Sequence, residues 1–115
     1  MESRIKHLRR NAMKYVVSWT FRSFGSVAEQ EASATRLLKV YSKWTPPASV
    51  TYHQFLGRID GSGGYQVVET DSPADLAETT AKFTPFADFQ IEPVLDVADA
   101  VGAAQAAIAF RESIG

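Results

Sequence analysis

His53 and Glu69 are the residues of this chain best suited by type to move a proton. His53 lies in a segment rich in β-branched and aromatic residues, Val50 to Asp60, and Glu69 lies in another, Tyr65 to Thr70. A histidine titrates near neutrality, so it can take a proton from a substrate and return it. A carboxylate beside it fixes the orientation of the ring. The two segments are separated by Gly61-Ser62-Gly63-Gly64, which predicts an antiparallel hairpin, because glycine supplies the positive φ of a tight turn. Pairing Asp60 with Gly64 sets Phe55 opposite Glu69 and His53 opposite Asp71, with Phe55, His53, Tyr65, Val67 and Glu69 sharing one face. A slip of one residue sets Gln54 opposite Glu69 instead. The competing role for His53 is a hydrogen-bonded place in an interface between two copies of the chain.

A second group has the chemistry of binding. Trp19 and Tyr65 could wall a pocket for an aromatic ligand, although strand aromatics also fill cores and interfaces. Arg22 follows the first strand, where it could hold an anionic ligand or join a surface ion pair. Glu69 and Glu92 are paired carboxylates on neighbouring strands whose separation the sequence leaves open. Other chemistries fall away. The chain has no cysteine, which excludes disulfides, thiolate metal sites and cysteine nucleophiles. One strand histidine with scattered carboxylates falls short of a metal cluster, and His7 lies apart in a basic N-terminal stretch. No serine occupies a strand-to-helix elbow. Gly61–Gly64 lacks the Lys-Ser/Thr ending of a phosphate loop and joins two strands. No metal or cofactor is expected.

The elements that position these residues are legible from periodicity and punctuation. Met13 to Phe21 alternates, with Tyr15, Val17, Trp19 and Phe21 on one side, and predicts a strand. Gly25 breaks it, and Ser26 with Glu29 has the form of a capping box. Val27, Ala34, Leu37, Leu38 and Tyr41 then recur at helical spacing up to Trp44, where Thr45-Pro46-Pro47 ends the helix. After the hairpin, Ser72-Pro73-Ala74-Asp75 opens a second helix with Leu76, Thr80 and Phe83 inward. Phe86 to Leu95 is a fourth strand, and Pro93 marks it as an edge or a bulge. Asp96 and Asp99 open a final helix with Val97, Val101, Ala104 and Ile108 inward. The order is β-α-β-β-α-β plus a C-terminal helix, an α+β, ferredoxin-like split β-α-β sandwich.

At 115 residues, 45% hydrophobic and 22% charged, the chain has the size and composition of one globular domain. Residues 1–12 hold Arg4, Lys6, Arg9 and Arg10 against Glu2, and the rest is acidic enough to bring the net charge to −1. The division expected is a disordered basic leader over 1–12 and a single domain over 13–115, with Met13 as an alternative start. An acidic body repels phosphate backbones, and the third strand lacks the basic-Gly-aromatic pattern of RNA-binding sheets, so no nucleic-acid partner is expected. No apolar run nears the roughly 20 residues of a membrane span, and no secretory h-region follows the basic stretch. A cytoplasmic location follows by elimination.

Residues 13–95 resemble the short bacterial proteins grouped as domain of unknown function 3303. The resemblance is carried by Lys14-Tyr15-Val16-Val17-Ser18-Trp19, by Gly61-Ser62-Gly63-Gly64-Tyr65-Gln66-Val67-Val68-Glu69 and by Phe89-Gln90-Ile91-Glu92-Pro93-Val94-Leu95. Those proteins are similar in fold to the dimeric α+β barrels of antibiotic-biosynthesis monooxygenases, muconolactone isomerases and chlorite-dismutase-like haem proteins. The resemblance implies a barrel dimer and assigns no catalytic residue.

Helices cover one face of such a sheet. If the other face carries some set of Tyr15, Val17, Trp19, Phe55, Val67 and Ile91, it needs a partner, and a second copy packed face to face is the economical one. Two functions are expected in competition. One is a non-enzymatic homodimer binding a small molecule or a partner protein. The other is a cofactor-independent enzyme, monooxygenase- or isomerase-like, with His53 transferring protons, Glu69 orienting it, and Trp19 and Tyr65 walling the pocket.

Overall fold

Alternation from Met13 onward builds β1 (Met13–Phe21), with Tyr15, Val17, Trp19 and Phe21 turned one way and Lys14, Val16, Ser18 and Thr20 the other. The structure, a computed structural model, describes residues 12–23 and 25–115, so the basic stretch up to residue 11, with His7, lies outside the described residues. After β1 come α1 (Val27–Lys43), β2 (Val50–Gly57), β3 (Gly63–Thr70), α2 (Pro73–Ala81), β4 (Ala87–Val94) and α3 (Val97–Ile114). The strands lie in the order β2-β3-β1-β4, each antiparallel to its neighbours. This is the expected ferredoxin-like arrangement with an added C-terminal helix. Pro93 sits on an edge strand, where its missing N–H costs no central ladder bond.

Val17, Val50, Val68 and Leu76 form the core between the sheet and α2, with Tyr15, Tyr52 and Phe89 packed around them. Burying each such aliphatic side chain contributes about 1.5–3 kcal/mol. The large apolar residues of β1 therefore face the helices. Tyr15, Val17, Trp19 and Phe55 all turn to the helix side, and Ile91, paired with Val17, turns with them. Of the residues expected on the open face, Val67 alone is there. The alternation of β1 is as expected, but alternation cannot say which face the helices cover.

Local details differ in instructive ways. The hairpin turn is Arg58–Ser62, earlier than Gly61–Gly64. The Arg58 N–H donates to the Gly63 carbonyl (2.8 Å), the Gly61 N–H to that of Arg58 (3.0 Å), and the Asp60 carboxylate accepts from the Ser62 N–H (2.9 Å). Asp60 is thus a turn residue, and β2 stops at Gly57. The Ser26 hydroxyl accepts from the Glu29 N–H at 3.0 Å, but the Glu29 carboxylate accepts from that hydroxyl (3.2 Å), so only half of the capping box forms. Ser72 caps α2 with its backbone and not its side chain, while the Thr70 hydroxyl receives the Ser72 N–H at 2.9 Å. On α1 the half-buried residues are Ser33, Leu37 and Val40, followed by its C-cap Trp44, whereas Val27, Ala34, Leu38 and Tyr41 are exposed. No residue of α3 is buried, and its expected inner stripe faces solvent; the Lys14 ammonium reaches Asp96, its N-cap, at 2.8 Å.

Candidate functional site

Glycine decides where the first aromatic wall stands. Trp19 pairs across strands with Gly64, and a Cβ at Gly64 would lie 2.4 Å from the indole ring and 2.2 Å from the Leu56 carbonyl oxygen. The indole lies across β3 in the space that a side chain would fill. Phe55 meets it edge-on with ring centroids 5.6 Å apart, and Phe89 lies on its other side at 6.4 Å.

Phe55 reaches that position through an irregularity in β2. The ladder runs Leu56↔Tyr65, Phe55↔Gln66, then shifts between Tyr52 and Gln54, so that Tyr52 pairs with Val68 and Thr51 with Glu69. One extra residue in the strand turns Tyr52 and Phe55 to the same face, where an unbroken strand would send them to opposite faces. Both expected registers are overturned: Glu69 stands opposite Thr51, and neither Phe55 nor Gln54 faces it.

Trp44, the C-cap of α1, closes the other side. Its ring meets Tyr52 and Phe83 edge-on at 5.8 Å each and lies 6.1 Å from Tyr41. Between these walls is a cavity of about 270 Å³, bounded by the sheet, by Leu37, Leu38 and Tyr41 of α1, and by Thr79, Thr80 and Phe83. Gln66 supplies an amide, and no charged residue lines the space. The Trp44 indole nitrogen and the Tyr52 hydroxyl are buried with no hydrogen-bond partner among the described residues. Burial also pushes the Tyr52 phenol above its ordinary pKa. The cavity can therefore hold an uncharged, mainly apolar body. It contains no histidine or carboxylate with which to move a proton.

The acid–base pair is on the opposite face of the sheet. His53, the bulge residue, places Nε2 2.8 Å from Glu69 Oε1. Lys14 pairs with Glu69 across strands and donates to Asp96, an interaction that raises the Lys14 pKa. Nearer the turn, the Arg58 guanidinium lies 4.9 Å above the Tyr65 ring and donates to the Thr20 hydroxyl at 2.9 Å. Val16, Val67 and Leu56 supply apolar surface among these polar groups.

The model of the family described as Domain of unknown function (DUF3303) matches residues 13–108. The chain belongs to this family. The match covers all four strands and most of α3, so both sheet faces lie within the DUF3303 domain. No curated protein matches the chain.

Within this domain the sequence-derived site residues divide between two faces. Trp19 walls the cavity; His53, Glu69 and Tyr65 lie on the open face, so Trp19 and Tyr65 do not share a pocket. Arg22 is held by Asp88 at 2.9 Å in an exposed ion pair beyond β1. Glu69 and Glu92 are separated by β1, which lies between their strands. Sequence reasoning missed Gln66 and Arg58, and took Trp44 only for a helix end. A glycine opposite a strand tryptophan was the available signal for the cavity; the bulge at His53 left none. Among the described residues, no group of three or more His, Asp or Glu could hold a metal ion, and no helix is long and apolar enough to cross a membrane.

Proposed function

We propose that this chain is a binding module, assembled as a homodimer, which seats a small apolar or aromatic molecule in the cavity between its sheet and helices. The cavity itself carries the reading. A space of about 150 Å³ lined by apolar side chains takes up benzene, so about 270 Å³ has room for one or two rings. Its walls are rings that prefer edge-on and offset contacts with another ring. The Gln66 amide offers a hydrogen bond to a ligand carbonyl or hydroxyl. The open face, apolar at Val16, Val67 and Leu56 and polar around them, has the mixed character of an interface between copies.

The two tryptophans of the chain, Trp19 and Trp44, both line the cavity, so intrinsic fluorescence reports on it directly. Titration with naphthol should quench that emission saturably, and Thr80→Phe, which fills the cavity, should abolish the saturable phase. Saturation that survives Thr80→Phe would place the ligand elsewhere. Sedimentation should give twice the chain mass of 12.6 kDa, and Val16→Asp should return it to one chain.

The 2.8 Å contact between His53 and Glu69 supports a second reading, cofactor-independent proton transfer on the open face. It requires that face to enclose a substrate between two copies. A panel of small carbonyl compounds turned over by the wild type and not by His53→Ala would establish it.

A further inference from the structure

On the outer side of Trp44 the same helices form a groove of different character. It is lined by Arg36, Lys39, Val40, Lys43, Thr45 and Lys82, with Trp44 as the wall it shares with the aromatic cavity. Arg36, Lys39 and Lys43 recur at spacings of three and four, which puts them on one side of α1, and Lys82 comes from the end of α2.

The placement of charge is uneven. Residues 13–115 contain eight lysines and arginines, and half of them line this groove. Elsewhere Lys14 is held by Asp96 and Arg22 by Asp88, Arg58 donates to the Thr20 hydroxyl, and Arg111 has no carboxylate among the described residues. In the groove only Lys82 has a carboxylate, Glu78 at 3.6 Å, and Arg36, Lys39 and Lys43 have none among the described residues. Cations gathered in a shallow groove repel one another and attract an anion.

We propose that this groove is the anionic half of the same site, so that the ligand is an organic anion with an apolar ring body. The rings enter the cavity, and a carboxylate, sulfonate or phosphate group rests among Arg36, Lys39 and Lys43 beyond Trp44. The inference rests on the reading of the cavity as a ligand seat and adds the charge of the ligand to it. Guanidinium and ammonium groups hold such oxygens through charge-assisted hydrogen bonds. Being exposed, each contributes a small factor, and three together about tenfold.

Two dyes with the same two fused rings test this: dimethylaminonaphthalene sulfonate, an anion, and dimethylaminonaphthalene, which lacks the sulfonate. Energy transfer from Trp19 and Trp44 measures both affinities. The wild type should prefer the anion, and the combined variant Arg36→Gln/Lys39→Gln/Lys43→Gln should lower affinity for the anion about tenfold while leaving the neutral dye unchanged. Raising salt from about 0.05 M to about 0.5 M should narrow the preference in the wild type but not in the variant. All three substitutions are at exposed helix positions, and the unchanged neutral dye certifies the fold. A variant that keeps the wild-type preference overturns the proposal. So does tight binding of an oligonucleotide with no preference between the dyes, which would reassign the groove to nucleic acid. If neither dye binds the wild type, the cavity reading itself fails, an outcome distinct from both.

Discussion

The two faces of the sheet are built from the same strands, in alternate positions, and do different things. On the helix face Val17 and Val68 are essentially inaccessible, and aromatic rings surround a space that the helices leave open. On the open face, ion pairs and hydrogen bonds run from His53 and Glu69 past Lys14 to Asp96, at positions where water still competes. The first face derives its order from shape and exclusion of water. The second derives it from charge pairs that each contribute little while exposed. His53 and Glu69 therefore lie on the face opposite the aromatic cavity.

The comparison is broken most severely at Gly64. Gly64→Ala would drive a methyl group into the Trp19 indole and the Leu56 carbonyl, and strand backbone cannot give way without parting β2 from β3. We expect a loss of about 3 kcal/mol in chemical denaturation together with a change in tryptophan emission. Next in size is the contrast between adjacent residues of β1. Val17→Ala removes buried methyl groups and should cost about 2–3 kcal/mol, whereas Val16→Ala on the open face should cost under about 1 kcal/mol in the dissociated chain. Equal losses would mean that the two faces are buried alike.

A smaller effect sharpens the helix face. The Tyr52 hydroxyl is buried without a partner, so Tyr52→Phe should be neutral or stabilising by up to about 1 kcal/mol. The same burial gives a pH dependence. Because the folded pKa of Tyr52 is raised, its neutral form's contribution is fully present below the ordinary phenol value and is lost as pH rises through the folded one. Denaturation midpoints should fall on that alkaline limb in the wild type and less in Tyr52→Phe.

The smallest effect belongs to the hairpin turn. Hydrogen bonds from Ser62 hold the Asp60 carboxyl below its usual range. Its contribution is thus present above the ordinary aspartate pKa and is lost as pH falls through the depressed one. Asp60→Asn should remove only that acidic dependence, and the full exposure of the group keeps it slight.

What could be read in advance follows from which signals are local. Strand alternation around Val17, the Pro-Pro stop after Trp44 and the Ser72-Pro73 helix start are local, and they gave the element order. That His53 and Glu69 share a face was expected, but from a register that set His53 opposite Asp71; their 2.8 Å contact comes with the bulge. The face that the helices cover is a tertiary fact, since Tyr15, Val17 and Trp19 would alternate identically either way. The bulge at His53 depends on how β2 fits β3, and it moved Phe55 from the histidine's side to the cavity. The groove of Arg36, Lys39, Lys43 and Lys82 joins two helices separated in sequence by a hairpin.

The central claim is that the helix-side cavity, and not the His53 face, is the seat of a ligand. Nuclear magnetic resonance tests it most directly, because Trp19 and Trp44 give the chain its two indole N–H signals and His53 gives a distinct ring signal. On titration with naphthol both indole signals should move together and saturate, while the His53 ring signal stays in place. Movement of the His53 signal with both indoles unchanged would contradict the account.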